Sequence, residues 1–285
     1  MAYMVHLLKR VAVWFFCSET GYSATASCKH SHLRRAGVFF LNNKGKTMGN
    51  MRIRAALAAG GLALAASAAH AGVTSTWTAT NDYDFRGNSQ TAKDPALQAS
   101  VDYAADSGWY IGAWASNVDF GSAVDVDYEL DVYTGFTGTT GEGGLTYDAG
   151  IVGYTYPDES DFNYLEIYGS LSKDWFKGKI WYSNDFGGKT TAGDTPAWYV
   201  EANATFPLPA NFSVLLHAGY STGDYWDDIA GDDALDYSAG VGYTLGNFNL
   251  ALKYVDTESD YQVRDDVFSN EGRVIFTVAT TFPWK

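Results

Sequence analysis

Cysteine and histidine are nearly missing from most of this 285-residue sequence. Both cysteines, Cys17 and Cys28, lie near the N-terminus, so the chain after residue 71 has no thiol for a disulfide or for redox chemistry. A single histidine, His217, follows residue 71. Because metal sites and Ser-His-Asp hydrolases need such residues in clusters, we predict neither a cofactor nor an enzyme. Ser213 and Ser221 share the predicted face of His217 but lie too far along the strand to serve as its nucleophile.

Basic residues are scarce after residue 71. That part of the chain holds ten Lys or Arg against 32 Asp or Glu, a net charge of −22. This charge repels nucleic acid, so we predict no nucleic-acid partner. Residues 1–71 are the opposite, with nine Lys or Arg and one acid, Glu19.

A targeting segment explains the boundary. Residues 48–71 include a basic start at Arg52 and Arg54, an apolar stretch from 55 to 66, and Ala-His-Ala before residue 72. This order is typical of a secretory signal peptide, and we predict cleavage after Ala71. A short membrane anchor is the alternative, but a spanning helix needs about 20 apolar residues. We expect residues 1–47 to be a disordered, non-native upstream extension, and residues 72–285 to form a single domain.

Helical periodicity is also lacking after residue 71. Apolar and polar residues instead alternate with the period of two that β-strands show. The six prolines fall between or at the ends of the alternating segments, as ladder hydrogen bonding requires. We predict twelve strands, at 73–80, 96–103, 109–116, 124–136, 145–156, 164–171, 176–184, 198–206, 212–221, 235–244, 248–255 and 273–282.

The connections between these strands alternate between short turns and longer, more charged loops. This alternation predicts an all-β fold, an antiparallel transmembrane β-barrel of about 12 strands of the outer-membrane type. Aromatic residues near segment ends fit the interfacial belts of such a barrel, namely Trp109, Tyr156, Trp198, Phe206, Phe212, Tyr220 and Tyr254. A secreted β-sandwich alternates in the same way and remains the competing fold.

An acidic ladder lies within "VDVDYELDVY", residues 124–133. Its carboxylates occupy every second position, and in a strand they share one face. A lumen lined by carboxylates concentrates cations and repels anions. The predicted lumen-lining acids are Asp102, Asp127, Glu129, Asp131, Asp148, Glu166, Glu201 and Asp236. Alternatively, these acids solvate an interior that Tyr and Trp close.

Two loops carry further candidates. In "FRGNSQT", Arg86, Asn88, Ser89 and Gln90 form a candidate constriction, in which Arg86 pairs with lumenal acids or binds a solute carboxylate; a simple loop anchor is the alternative. The second loop holds Asp227, Asp228, Asp232 and Asp233, a weak calcium candidate, since oxygen-rich clusters suit calcium but the spacing departs from the EF-hand.

Six blocks, in order, resemble one known family. They are "YDFRGNSQT" (83–91), "PALQASVDY" (95–103), "GWYIGAWASNVDFG" (108–121), "YELDVYTGF" (128–136), "YDAGIVGYTYP" (147–157) and "NYLEIYGSLS" (163–172). The sequence is similar to the TorF-type porin family, also described as Gcw_chp, bacterial proteins of unknown function. The resemblance implies a porin-like barrel in the Gram-negative outer membrane and implies no particular solute.

The sequence therefore predicts a barrel in contact with outer-membrane lipid that passes small hydrophilic solutes, with a preference for cations. The alternatives are a structural or adhesive barrel with a closed lumen, or a barrel enzyme. Whether copies associate into a homo-oligomer stays open.

Overall fold

The chain folds into a closed antiparallel barrel of twelve strands. The computed structural model describes residues 72–122, 124, 126–141, 144–190, 195–259 and 266–284. In chain order its strands are β1 (Gly72–Thr80), β2 (Asp84–Phe85), β3 (Asn88–Ser89), β4 (Ala96–Ala104), β5 (Trp109–Asn117), β6 (Tyr128–Thr139), β7 (Thr146–Thr155), β8 (Tyr164–Lys173), β9 (Phe176–Ser183), β10 (Ala197–Pro207), β11 (Phe212–Thr222), β12 (Ala234–Leu245), β13 (Phe248–Glu258) and β14 (Arg273–Phe282). The two-residue strands β2 and β3 form a separate hairpin, so the predicted twelve barrel strands are confirmed.

The sheet closes through its first strand. Ser75 of β1 pairs with Val101 of β4, and Trp77 of β1 pairs with Thr280 of β14. Each remaining barrel strand pairs with its neighbours along the chain. Closure satisfies the hydrogen-bonding groups of both terminal strands, and it excludes the β-sandwich alternative.

Side chains alternate between the two faces of the sheet. In β8, Leu165 and Ile167 point outward with 56% and 55% of their surface exposed, whereas Glu166 between them is 1% exposed. The same alternation places large apolar side chains on the outside of the other barrel strands. The prediction of an apolar exterior and a polar interior is confirmed.

The two ends of the barrel differ. One end, here called the short-turn end, carries the connections at 105–108, 140–145, 174–175, 208–211 and 246–247. The other, the long-loop end, carries the connections at 81–95, 118–127, 156–163, 184–196, 223–233 and 259–272. Helical turns lie in three of these long loops, two of 3₁₀ type at Ser160–Phe162 and Gly188–Thr190 and a π-helical turn at Tyr225–Ala230. Within the residues that the structure describes, none of the helical turns has the length to cross a bilayer.

The long loops fold inward over the barrel mouth and share a cluster of buried aromatic and apolar side chains, here called the loop-end cluster. Its contacts include Phe120 with Phe268, at 4.8 Å between ring centroids, and Phe186 with Tyr225, also at 4.8 Å. Each of the six long loops contributes a member, namely Tyr83, Phe120, Val126, Tyr156, Phe162, Phe186, Tyr225, Trp226 and Phe268. The main apolar core thus lies inside the ring, at its long-loop end.

Two predictions about this region are wrong. The predicted strand at 124–136 begins only at Tyr128, because the chain before it turns inward, with the Val118 amide donating to the Asp127 carbonyl. Val126 is therefore buried in the loop-end cluster instead of facing outward. Tyr156, predicted in an outer aromatic belt, is buried in the same cluster because its strand ends at Thr155.

Candidate functional site

The first long loop, residues 81–95, enters the barrel and rests against its inner wall. At its tip, Gly87 has a φ of +83°, and a Cβ there would lie 2.2 Å from the Thr257 Oγ1 and 2.7 Å from the Asp236 Cβ. The Thr257 hydroxyl donates to the Gly87 carbonyl at 3.3 Å. Only glycine fits this contact, because any side chain would collide with the wall formed by β12 and β13.

Arg86, next to that tip, forms a buried ion pair with a wall residue. Its Nη2 lies 2.6 Å from the Glu166 Oε2 on β8, and the two side chains are 7% and 1% exposed. The Tyr154 hydroxyl donates to the same oxygen at 2.9 Å. A buried ion pair with additional hydrogen bonds is the arrangement that offsets the cost of removing both charges from water.

Four aromatic rings enclose the Arg86 guanidinium, and we call these rings together with Glu166 the Arg86 cage. The distances from Cζ to the ring centroids are 4.4 Å for Tyr199, 4.8 Å for Phe85, and 5.5 Å for both Trp181 and Phe186. Aromatic faces attract cations through the ring quadrupole. Burial lowers the pKa of Arg86, but the Glu166 carboxylate raises it by more, so that the net pKa is raised and the side chain stays charged.

Arg273, at the start of β14, holds the loop from the opposite side. Its Nε lies 2.5 Å from the Asp82 Oδ2, and its Nη2 lies 2.5 Å from the Asp84 Oδ1. Its Nη1 donates to the Gly87 carbonyl at 2.9 Å. Burial raises the pKa of Asp84, although Arg273 acts to lower it. Sequence reasoning missed Arg273, whose only signal was a basic residue beginning a predicted strand.

The other three constriction candidates make local contacts within the loop or to its neighbours. The Ser89 hydroxyl donates to the Asp82 Oδ1 at 2.6 Å, and the Ser89 amide donates to the Ser269 carbonyl at 2.9 Å. The Asn88 side-chain amide donates to the Arg86 carbonyl, and the Gln90 carbonyl accepts from the Asp119 amide. These bonds anchor the loop, and the ion pair of Arg86 with Glu166 fits both the predicted pairing with a lumenal acid and the loop-anchor alternative.

Two carboxylates of the acidic ladder, Glu129 and Asp131, point inward from β6, whereas Asp127, which was also predicted to line the lumen, does not. Glu129 and Asp131 are 2% and 1% exposed, and Asp127 lies before the strand begins and is exposed. The Tyr83 hydroxyl faces the Glu129 Oε1 at 3.5 Å. Among the described residues, none forms a hydrogen bond with either carboxyl oxygen of Asp131. Burial of this kind makes a carboxylate costly unless it is paired.

The remaining predicted acids accept hydrogen bonds from neighbouring side chains inside the barrel. Asp102 accepts from the Ser100 and Tyr133 hydroxyls, and Asp148 accepts from the Tyr110 hydroxyl at 2.6 Å. Glu201 accepts from the Trp181 indole N–H at 2.9 Å. Asp236 accepts from the Tyr199 hydroxyl at 3.0 Å. The interior therefore combines hydrogen-bonded carboxylates along the inner faces of the strands with an apolar cluster at the long-loop end.

Lysines on the inner face reduce the net negative charge of the lumen, and they were not predicted from the sequence. Lys179 of β9 is buried, and its ammonium lies 3.8 Å from the Tyr168 ring centroid and 3.6 Å from that of Trp181. Lys177, two residues before Lys179 on β9, faces the same side of the sheet. Lys253 lies on the inner face of β13. The signal was the alternation of Lys177 and Lys179 in the segment with the least regular pattern.

His217 on β11 belongs to a hydrogen-bonded wall network. Its Nε2 lies 2.8 Å from the Asp236 Oδ1, and its Nδ1 lies 2.8 Å from the Asn203 Oδ1. The Asn203 Nδ2 donates to the Glu201 Oε2 at 2.8 Å, so the oxygen of this amide faces the imidazole. In the described part of the chain no serine hydroxyl is among the hydrogen-bond partners of His217, and the hydroxyl that it contacts is that of Tyr199, at 3.1 Å.

The four aspartates of the calcium candidate all lie in the loop at 223–233. Asp227 and Asp228 are exposed in the π-helical turn, whereas Asp233 accepts from the Tyr220 hydroxyl. Over the described ranges, no three or more His, Cys, Asp or Glu side chains converge in a way that holds a metal ion. The geometry of these aspartates gives the calcium prediction no support.

A family model for bacterial proteins of unknown function, Gcw_chp, matches residues 64–282, which is most of the sequence and the whole barrel. The chain belongs to the Gcw_chp family. A comparison with curated proteins finds no match for this family member.

Among solved structures, this Gcw_chp protein is similar to several porins. The KdgM porin shares 7% identity at a TM-score of 0.47, covering 74% of this chain and 99% of that one. The NanC porin shares 10% identity at a TM-score of 0.48, covering 74% of this chain and 98% of that one. OpdK of Pseudomonas aeruginosa shares 13% identity at a TM-score of 0.36, covering 74% and 66%. The likeness concerns the barrel fold.

Proposed function

We propose that this Gcw_chp protein is an outer-membrane, porin-like channel of the TorF type for the passive diffusion of small hydrophilic solutes. The observation that carries the proposal is a closed ring of strands with an apolar outer face and a polar inner face. A bilayer accepts only segments whose backbone hydrogen bonds are satisfied internally, and a closed barrel meets this condition. Residues 48–71 serve in this proposal as the signal peptide, removed after Ala71.

The channel prefers cations in this proposal, because acids outnumber bases on its inner face. The inward acids are Asp102, Glu129, Asp131, Asp148, Glu166, Glu201 and Asp236, and the inward bases include Arg86, Lys179, Lys253 and Arg273. The test is a planar-bilayer recording in a KCl gradient. Conductance steps with a cation-biased reversal potential are expected, and an anion-biased potential refutes the preference.

The loop-end cluster favours a second candidate, a structural or adhesive barrel with a closed lumen. Aromatic contacts among the inward-folded loops reduce the opening at that end. The same recording separates the two functions: folded protein that inserts into the bilayer and gives no conductance steps favours the closed barrel. Correct folding is verified independently by the different gel migration of boiled and unboiled protein.

A further inference from the structure

We propose that the Arg86 cage is a guanidinium-binding site which the chain fills with its own side chain, and that guanidinium compounds entering the lumen compete with Arg86 for it. The competition depends on the proposed channel only in that a solute must reach the lumen. Binding itself requires the cage and the closed barrel.

The cage has the chemistry of a cation receptor. It combines four aromatic rings at 4.4 to 5.5 Å with one carboxylate at 2.6 Å, and the paired side chains are almost fully buried. Aromatic faces and a desolvated carboxylate together select a flat, weakly hydrated cation, which describes guanidinium better than a compact ammonium ion.

Most of the cage belongs to the barrel wall and does not depend on the position of the first loop. Glu166, Trp181 and Tyr199 lie on β8, β9 and β10, and the Tyr154 hydroxyl that orients Glu166 lies on β7. Only Phe85 comes from the same loop as Arg86. Removing the guanidinium of Arg86 therefore leaves a preformed site with an uncompensated carboxylate, and a free guanidinium ion restores the missing charge.

Arg86 has the advantage of a short tether. A tethered group acts at an effective concentration that reaches the millimolar range for short flexible linkers, so a soluble competitor must be supplied at millimolar levels or above. Truncating Arg86 removes this competition and exposes the intrinsic affinity of the cage.

The test is isothermal titration of folded, detergent-solubilised protein with guanidinium chloride, with ionic strength held constant by sodium chloride. Arg86→Ala should bind guanidinium on the order of tenfold or more tightly than the wild type. Adding Glu166→Gln to that variant should abolish the binding. Lys93→Ala removes a cation from the same loop whose partners, Asp266 and Glu271, lie at the surface, and it should titrate like the wild type. Ethylammonium chloride tests the preference for a planar cation and should bind more weakly.

Absence of binding by folded Arg86→Ala, or equal binding after Glu166→Gln is added, overturns the proposal. If Arg86→Ala does not fold, Arg86→Lys takes its place: it should bind guanidinium more tightly than the wild type does, and equal affinity is the contrary result. Because titration in detergent requires no conductance, a protein that binds guanidinium but forms no pore contradicts the channel alone.

Discussion

At the scale of single residues, Glu166 is the carboxylate whose loss should destabilise the barrel most. Glu166→Gln leaves the Arg86 guanidinium buried without its ion-pair partner, and breaking a buried pair in this way costs about 3–5 kcal/mol. Urea unfolding of the protein reconstituted in lipid vesicles measures the free energy directly.

Asp131 supplies the matched control for that substitution. It is equally buried, and its carboxyl oxygens have no hydrogen-bond partner among the described residues. Asp131→Asn should leave the free energy of unfolding unchanged or raise it, because it removes a charge close to Glu129. Equal destabilisation by the two substitutions would contradict the special role of the Arg86 pair.

Alternation predicted the inward direction of the acids within the strands and failed for Asp127, which precedes its strand, whereas the partners of the acids were not predictable. Arg86 and Glu166 are 80 positions apart in the chain, and their contact depends on how far the first loop descends and which wall strand it meets. A strand period reports the face of a side chain and says nothing about its depth or its opposite neighbour.

At the scale of strands, a charged side chain on the outer face of β11 should destabilise the barrel. Leu216 lies at the middle of that strand and is 42% exposed. Leu216→Lys should cost about 2–4 kcal/mol in lipid, as expected for a basic residue at the bilayer midplane.

On β10, Thr205 follows Ala204, the cross-strand partner of Leu216, and lies at nearly the same depth. Its side chain points to the opposite face of the sheet. Thr205→Lys faces the lumen and should cost much less than Leu216→Lys in the same vesicle unfolding experiment. Similar losses at both positions would argue that the outer face does not contact lipid.

The first loop offers a test at Gly87. Gly87→Ala places a methyl group 2.2 Å from the Thr257 hydroxyl oxygen and should displace the loop tip from the wall. Conductance steps of larger amplitude and faster protease cleavage between residues 81 and 95 are expected. As a control, Gly246→Ala changes a glycine that also has a positive φ but has open space around it at the short-turn end, and it should leave both properties unchanged.

Strand positions were predictable because period two persists through each barrel strand. The failure at residues 124–127 has a physical cause: alternation continued past the point where the chain leaves the sheet, and the inward turn depends on contacts with other loops. Val126 and Tyr156 reach the loop-end cluster through such contacts, for which the local sequence carries no signal.

At the scale of the whole molecule, the charge balance of the interior should set ion selectivity. Asp102 and Asp148 are inward acids that stay partly accessible. The double substitution Asp102→Asn with Asp148→Asn should reduce the cation bias of the reversal potential, because it removes two lumenal charges. Asp158→Asn, at an exposed loop position, is the control and should leave the bias unchanged. A bias unaffected by the double substitution would place the selectivity filter elsewhere.

Barrel architecture followed from the chain pattern, but the degree of opening did not. The pattern gave the number of strands, the two unlike ends and the apolar exterior. Inward bases such as Lys179 and Arg273 were not predicted, because Lys179 lies in the strand with the least regular alternation and Arg273 is only the first residue of its strand.

The pairing of β1 with β14 makes closure of the barrel depend on both ends of the sheet. One edge of β1 stays unpaired until the last ten-residue strand folds against it, so the barrel cannot close without its C-terminal strand. The last strand also brings Arg273, which grips the inserted loop through Asp82 and Asp84. A chain that ends before residue 273 would therefore lose both the β1–β14 pairing that closes the barrel and the Arg273 ion pairs that hold the inserted loop.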